Sequence, residues 1–144
     1  MSMAGLLARL EEQGLGPPLV QLASDRISHS DQLELLRIGG TYRVAEMERG
    51  QVVEEYCLTG SAGEALDVFA SQLARRSVFL ASFSDEASAD CLRAALEHQG
   101  IRAWPNHVLT LRDIAPLYRL FVPALDWQQA RAYFEAWQAG EQAA

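Results

Sequence analysis

The stretch TYRVAEMERGQVVEEYCL, residues 41–58, decides the fold of this chain. In its first half, successive side chains point to opposite faces of a strand, with Tyr42 and Val44 on the same face. Its second half is rich in residues that favour strands. Between the halves, Glu48-Arg49-Gly50-Gln51 has turn composition, with a glycine that adopts positive φ without strain. The stretch therefore predicts a β-hairpin of Thr41–Glu48 and Gln51–Leu58.

Helices and further strands flank this hairpin. Upstream, residues 1–14 predict a helix that ends at Gly14, because Gly and two prolines follow. Downstream, Ser61 and Glu64 form a capping-box pattern that opens a helix to about Arg76. The later predicted elements are a strand Ser77–Phe83, a helix from Ser84 or Asp85 to about Gln99, strands Ile101–Leu111 and Tyr118–Val122, and a last helix that begins at Asp126 with Gly140 beyond its end.

The segment of residues 19–38 permits two interpretations. Leu19–Ala23 and Leu33–Ile38 have the composition of short strands, with Ser24–Asp31 as a polar loop between them. The alternative is that the whole segment is a loop. The pattern leaves this choice open.

The order of elements predicts an α+β fold. Strands that run in blocks with interspersed helices favour one mostly antiparallel or mixed sheet, with a hairpin and three to four helices packed on it. No linker composition interrupts the chain, so residues 1–144 are expected to form a single layered domain.

Composition and charge exclude several function classes. The chain has 19 acidic residues against 12 basic ones, all arginine, for a net charge of −7. Such a balance disfavours binding to nucleic acid or to an anionic membrane. No apolar run approaches the roughly 18 residues of a membrane-spanning helix, and residues 1–18 lack the basic start of a secretory signal. The expected location is the cytoplasm.

Motifs for catalysis or cofactor binding are scarce. No phosphate-binding glycine loop occurs, and His29, His98 and His107 are too widely spaced for a metal motif. The chain is therefore expected to bind no metal and no cofactor, and not to be an enzyme. One alternative remains, an enzyme that uses the polar loop Ser28-His29-Ser30-Asp31 with a distant acid.

The last predicted helix carries a set of aromatic residues at helical spacing. Such a set packs into a core more often than it forms an exposed stacking platform. The set comprises Trp127, Tyr133, Phe134 and Trp137.

The hairpin concentrates acidic side chains. It carries Glu46, Glu48, Glu54 and Glu55 beside Arg43 and Arg49. One interpretation is a solvated strand edge whose charges prevent aggregation. The other is a surface for a basic partner, since acidity steers the encounter with positive charge.

The hairpin also resembles a known family. The stretch Gly40–Gly50, then Glu54-Glu55-Tyr56, then a helix that opens with Glu64-Ala65, is similar to immunity proteins of bacterial polymorphic toxin systems. The resemblance implies a non-enzymatic inhibitor that binds one cognate protein toxin and covers its active site. Under this hypothesis the partner-binding residues are Glu46, Glu48, Arg49, Glu54, Glu55 and Tyr56.

The second half of the chain resembles something else. Ala89–Ile101 followed by Leu120–Pro123 is similar to a small bacterial βαββα domain described as a signal transducer. That similarity implies an alternative function, a regulatory or sensor domain that binds a small ligand. The sequence leaves open whether the chain is a monomer or a homodimer.

Overall fold

The computed structural model describes residues 2–108 and 117–143. The chain divides into two compact units, Met1–Arg76 and Ser77–Ala144. Each unit has its own antiparallel sheet, of five strands in the first and three in the second.

The predicted hairpin is present in the first unit. Strand β4 spans Thr41–Glu48 and pairs with β5, Gln51–Thr59. Arg49 and Gly50 in the turn have φ of 53° and 78°, which matches the tight hairpin turns that need positive φ at both central residues. Two register shifts leave β5 with extra residues, so this strand bulges near Val53 and Tyr56.

The segment that precedes the hairpin forms three strands. They are β1, Gln21–Ala23; β2, Arg26–His29; and β3, Leu33–Ile38. The sheet is a meander in the order β1-β2-β3-β4-β5. The prediction of a loop over Ser24–Asp31 is wrong because Ile27, fully buried, pairs with Leu35 and anchors β2 in the sheet. One apolar residue among polar neighbours is too weak a signal for a strand.

Two helices cover one face of this sheet. Helix α1, Met3–Glu12, contacts β1 and β2, and helix α2, Ala62–Ala74, contacts β3, β4 and β5. The side chain of Ser61 caps α2 by accepting a hydrogen bond from the N–H of Glu64 at 3.1 Å. The core between helices and sheet contains the fully buried Leu6, Leu10, Ile27, Leu35, Val44 and Phe69.

The second unit follows the order β-α-β-β-α. Its elements are β6, Ser77–Phe83; α3, Glu86–His98; β7, Trp104–Val108; β8, Leu117–Pro123; a 3₁₀ turn, Ala124–Asp126; and α4, Trp127–Ala143. The sheet order β6-β8-β7 places β8 in the centre. Of the strand predicted over Ile101–Leu111, residues 109–111 lie outside the described residues.

The aromatic residues of α4 belong to the core of the second unit, as predicted. Phe134 is buried, and Trp127, Tyr133 and Trp137 pack around the same cluster. The expected end of this helix at Gly140 is wrong, because α4 continues to Ala143. A glycine inside a helix costs only about 1 kcal/mol relative to alanine, so it does not by itself end the helix.

The α+β class, the antiparallel strands, the hairpin and the four helices are confirmed. The strands form two sheets, which the order of elements did not reveal. A single domain over residues 1–144 stays a prediction. None of the described helices is long and apolar enough to cross a membrane.

Candidate functional site

Two turns at the same end of the five-stranded sheet enclose a cleft. One is the β2–β3 turn around Asp31 and Gln32, and the other is the β4–β5 turn at Arg49 and Gly50. The N–H of Met47 donates a hydrogen bond of 2.7 Å to the carbonyl of Gln32, which ties the first turn to the hairpin. The cleft has a volume of about 470 Å³, and its lining includes Asp31, Gln32, Glu46, Glu48, Arg49 and Val53.

The cleft is acidic. Asp31, Glu46 and Glu48 line it together with Arg49, and because Arg76 already balances the charge of Glu46, Asp31 and Glu48 supply the excess negative charge. A concave surface lined by one sign of charge concentrates the field and attracts groups of opposite sign. The cleft therefore suits an arginine or lysine side chain.

Glu46 is held in place by two neighbours. Its carboxylate accepts hydrogen bonds from both terminal nitrogens of Arg76, the first of them 3.3 Å long, and from the Tyr56 hydroxyl at 3.4 Å. The side chains of Arg76 and Glu46 are 20% and 25% exposed. Partial burial, followed by the charges of Glu46 and Glu54, raises the pKa of Tyr56. Tyr56 therefore stays protonated and able to donate this hydrogen bond at neutral pH.

The six residues predicted to bind a partner do not form one patch. Glu54 pairs across the hairpin with Glu46 and points to the same face of the sheet. Glu55 pairs with Ala45 and points to the opposite face. Glu48, Arg49, Glu54 and Glu55 are exposed, whereas Glu46 and Tyr56 are half-buried.

Apolar side chains accompany the acids on β5. Val52 and Val53 are 41% and 55% exposed at the hairpin end. In the described part of the chain β5 pairs only with β4 and is the edge of its sheet. An exposed apolar centre beside charged groups is the composition of a protein-binding surface.

His29, the centre of the enzyme alternative, is buried and engaged. It is 8% exposed, and its Nδ1–H donates a hydrogen bond of 2.8 Å to the carbonyl of Leu19. Burial lowers the pKa of this imidazole. Ser28 and His29 are consecutive residues of β2, so their side chains point to opposite faces of the sheet and do not form a nucleophile–base pair.

A smaller cleft of about 190 Å³ opens near Arg26, Glu34 and Arg49. The carboxylate of Glu34, 6% exposed, is paired with Arg26 at 3.3 Å and with Arg43 at 3.2 Å. A buried carboxylate held between two guanidiniums has its charge already balanced. We assign this group to the structure of the sheet.

Sequence reasoning missed three contributors to the acidic cleft. Asp31 and Gln32 enter it because the two turns lie side by side, which depends on strand register. Arg76 reaches Glu46 across a separation of 30 residues. The sequence signal that points to Asp31 is its place in a polar turn, and that signal does not say which other turn it faces.

Among the described residues, no group of three His, Cys, Asp or Glu side chains is placed to hold a metal ion. Comparisons with known proteins give no further guide to the site. No family model matches the chain, and neither a curated protein nor a solved structure matches it.

Proposed function

We propose that this chain is a cytoplasmic immunity protein, a non-enzymatic inhibitor that binds one cognate bacterial toxin and covers the toxin's active site. The observation that carries the proposal is the acidic cleft at the hairpin end, where Asp31 and Glu48 leave an excess of negative charge over Arg49 and Glu46 is paired with Arg76 in the wall. The resemblance of residues 40–65 to immunity proteins supports the same function.

Rigid placement of the acids favours this function. Glu48 and Glu54 lie on paired strands, and Glu46 is fixed by Arg76 and Tyr56. Side chains that are ordered before binding lose less conformational entropy in the complex. The paired strands therefore fix the backbone positions of these acids, whereas the exposed side chains of Glu48 and Glu54 adjust to arginine or lysine groups of the toxin.

The neighbouring apolar residues supply the remaining part of the surface. Val52 and Val53 lie beside the cleft on the exposed strand. In a complex they are the residues that lose most contact with water, while the carboxylates at the rim steer association. A toxin that binds an anionic substrate carries basic groups in its active site, and the carboxylates would occupy the place of the substrate anions.

Charge reversal tests the proposal. The toxin is sought as the C-terminal domain of a large protein encoded beside this chain, and it is produced with the parent chain or with Glu48→Arg/Glu54→Arg. We expect the variant to lose protection of toxin-producing cells and to associate about tenfold more slowly at low salt, because steering by opposite charge is removed. The dependence of association on salt should weaken as well.

The matched control is Glu11→Arg/Glu12→Arg, at the end of α1, where both side chains are exposed. It makes the same charge change away from the cleft and should protect cells like the parent. Thermal melting of all variants separates loss of binding from loss of folding. Full protection by the double variant, with an unchanged salt dependence, would show that the hairpin is only a solvated edge.

A further inference from the structure

Three of the four sheet edges in the described structure carry protection within the strand itself. Strand β1 has only three residues, β7 contains Pro105, and β5 bulges twice and carries Glu54 and Glu55. Short strands, prolines, bulges and charges all hinder the addition of a further strand to an edge. The fourth edge is β6, which in the described residues pairs only with β8.

Strand β6 has the composition of a segment that pairs with itself. Its seven residues, SVFLASF, include no charge, no proline and no glycine. Segments of this length and composition, with high β propensity, are the ones that associate with identical copies. Two β6 strands would meet without like-charge repulsion, whereas two β5 strands would bring their glutamates together. A second copy of this chain is therefore the partner that fits the β6 edge.

Helix α4 occupies backbone acceptors of this strand. The indole Nε1–H of Trp127 donates a hydrogen bond of 2.9 Å to the carbonyl of Phe79. A terminal N–H of Arg131 donates one of 3.4 Å to the carbonyl of Leu80. The pairing with β8 shifts register between Phe79 and Ala81, so both carbonyls lie where the ladder is irregular. An added strand has to donate its N–H groups to carbonyls of β6, and these two are already bonded.

Both donors are held in place by their own surroundings. The Nε–H of Arg131 donates to the carboxylate of Glu135 at 3.0 Å, and its guanidinium lies over the ring of Phe134, 5.5 Å from the centroid. The indole of Trp127 packs against the core of the second unit. The guanidinium of Arg131 also places a charge beside an uncharged strand, and such a charge opposes aggregation.

We propose that Trp127 and Arg131 close the edge of β6 against a second copy of this chain, and that the chain self-associates by antiparallel β6–β6 pairing when both donors are removed. A purely structural role, in which the two hydrogen bonds only satisfy carbonyls at the bulge, would lower stability on their loss and leave the mass unchanged. The proposal is independent of toxin binding at the hairpin.

Sedimentation equilibrium of the full chain over a range of concentrations tests the proposal. The variant is Trp127→Phe/Arg131→Met, which keeps an aromatic ring and an apolar stem but removes both donors. We expect its average mass to rise with concentration to about twice that of the parent, because antiparallel pairing across a two-fold axis closes with two chains. Arg131→Met alone should associate more weakly, and it should fold because this side chain is 42% exposed.

The matched control is Trp137→Phe/Arg93→Met, the same two changes elsewhere in the second unit. Trp137 packs against the same core and Arg93 lies on α3, and in the described part of the chain neither donates a hydrogen bond to β6. This control should keep the mass of the parent. Adding Phe79→Lys to Trp127→Phe/Arg131→Met should restore the parent's mass, since a lysine on an edge strand hinders pairing and Phe79 is 47% exposed.

Two results would overturn the proposal. A parent-like mass of the double variant at every concentration, with folding checked by circular dichroism, would show that the hydrogen bonds serve only the bulge. Association that Phe79→Lys does not reverse would place the contact on a surface other than β6. If the double variant does not fold, Arg131→Met with and without Phe79→Lys decides in the same way.

Discussion

Glu46 and Glu48 differ in role although they are two residues apart on one strand. Glu46 is paired with Arg76 and accepts from Tyr56, so it contributes to the structure of the cleft wall. Glu48 is exposed beside the turn and is free to meet a partner first. A change at Glu48 therefore probes binding without breaking the Glu46–Arg76 pair, whereas Glu54 lies directly across the hairpin from Glu46.

His29 predicts a pH dependence of stability. Burial lowers its pKa below the ordinary value of 6.5, the hydrogen bond to Leu19 opposes this shift, and the charge of Arg76 adds to it. As the pH falls below 6.5 the unfolded chain takes up a proton that the folded chain does not. The stability that the neutral imidazole of His29 contributes is therefore fully present above pH 6.5. It is lost as the pH falls from 6.5 towards the lower pKa of the folded state.

Urea unfolding between about pH 5.5 and pH 7.5 measures this effect. We expect the unfolding free energy of the parent to decrease with falling pH by at most about 1.4 kcal/mol per pH unit on account of His29. His29→Gln should reduce this slope, whereas the same change at the exposed His98 should leave it in place. An equal slope in the parent and in His29→Gln would mean that other groups cause it.

At the scale of elements, the hairpin turn depends on its backbone conformation. Gly50 has φ of 78°, and an alanine there meets no neighbouring atom but carries a Cβ in the left-handed region. We expect Gly50→Ala to lower the unfolding free energy by about 1 kcal/mol. Gly40 also has open space around it and has no positive φ.

Gly40→Ala is therefore the control for Gly50→Ala. It should be neutral or stabilise by up to about 1 kcal/mol, since it restricts only the unfolded chain. Denaturant titration of both variants measures the difference. Equal effects at Gly40 and Gly50 would contradict the assignment of strain to the left-handed conformation.

Local signals account for the elements that the sequence predicted well. The Glu48–Gln51 turn, the Ser61 cap and the strand Ser77–Phe83 are all encoded by residues close in the chain, and all appear as predicted. Strand β2 was missed because only Ile27 marks it as buried. The division into two sheets was missed because the pairing of β8 with β6 joins residues about 40 apart, which no local pattern specifies.

The candidate site was predictable to a smaller extent than the fold. The acids of the hairpin were found from composition, and the fixed position of Glu48 and Glu54 follows from the turn. The ion pair of Glu46 with Arg76 and the approach of Asp31 depend on tertiary packing. The face of the sheet on which Glu55 lies was also not predictable, because the bulges in β5 set its register with β4.

At the scale of the whole molecule, the net charge of −7 is distributed over clefts that contain both acidic and basic residues. The first unit gathers Asp31, Glu46 and Glu48 around one cleft, and the second unit gathers Arg93 and Arg102 around another. Composition alone suggested an acidic protein with basic partners. The distribution of charge supports a basic partner for the first unit, and the charge-reversal variants of the hairpin test it.

Each of the two units has a hydrophobic core of its own, so we expect a core substitution to destabilise mainly the unit that contains it. Phe134 is 7% exposed in the core of the second unit, and Leu35 is fully buried in the first. Truncation to alanine costs about 3–5 kcal/mol for a buried phenylalanine and about 2–5 kcal/mol for a buried leucine. We expect Phe134→Ala to lower hydrogen-exchange protection mainly in residues 77–143, and Leu35→Ala mainly in residues 2–76, because each change removes packing from one core.

Leu125→Ala, at an exposed position, should leave protection unchanged. An equal loss throughout the chain in both core variants would mean that residues 1–144 unfold as the single cooperative domain predicted from the sequence.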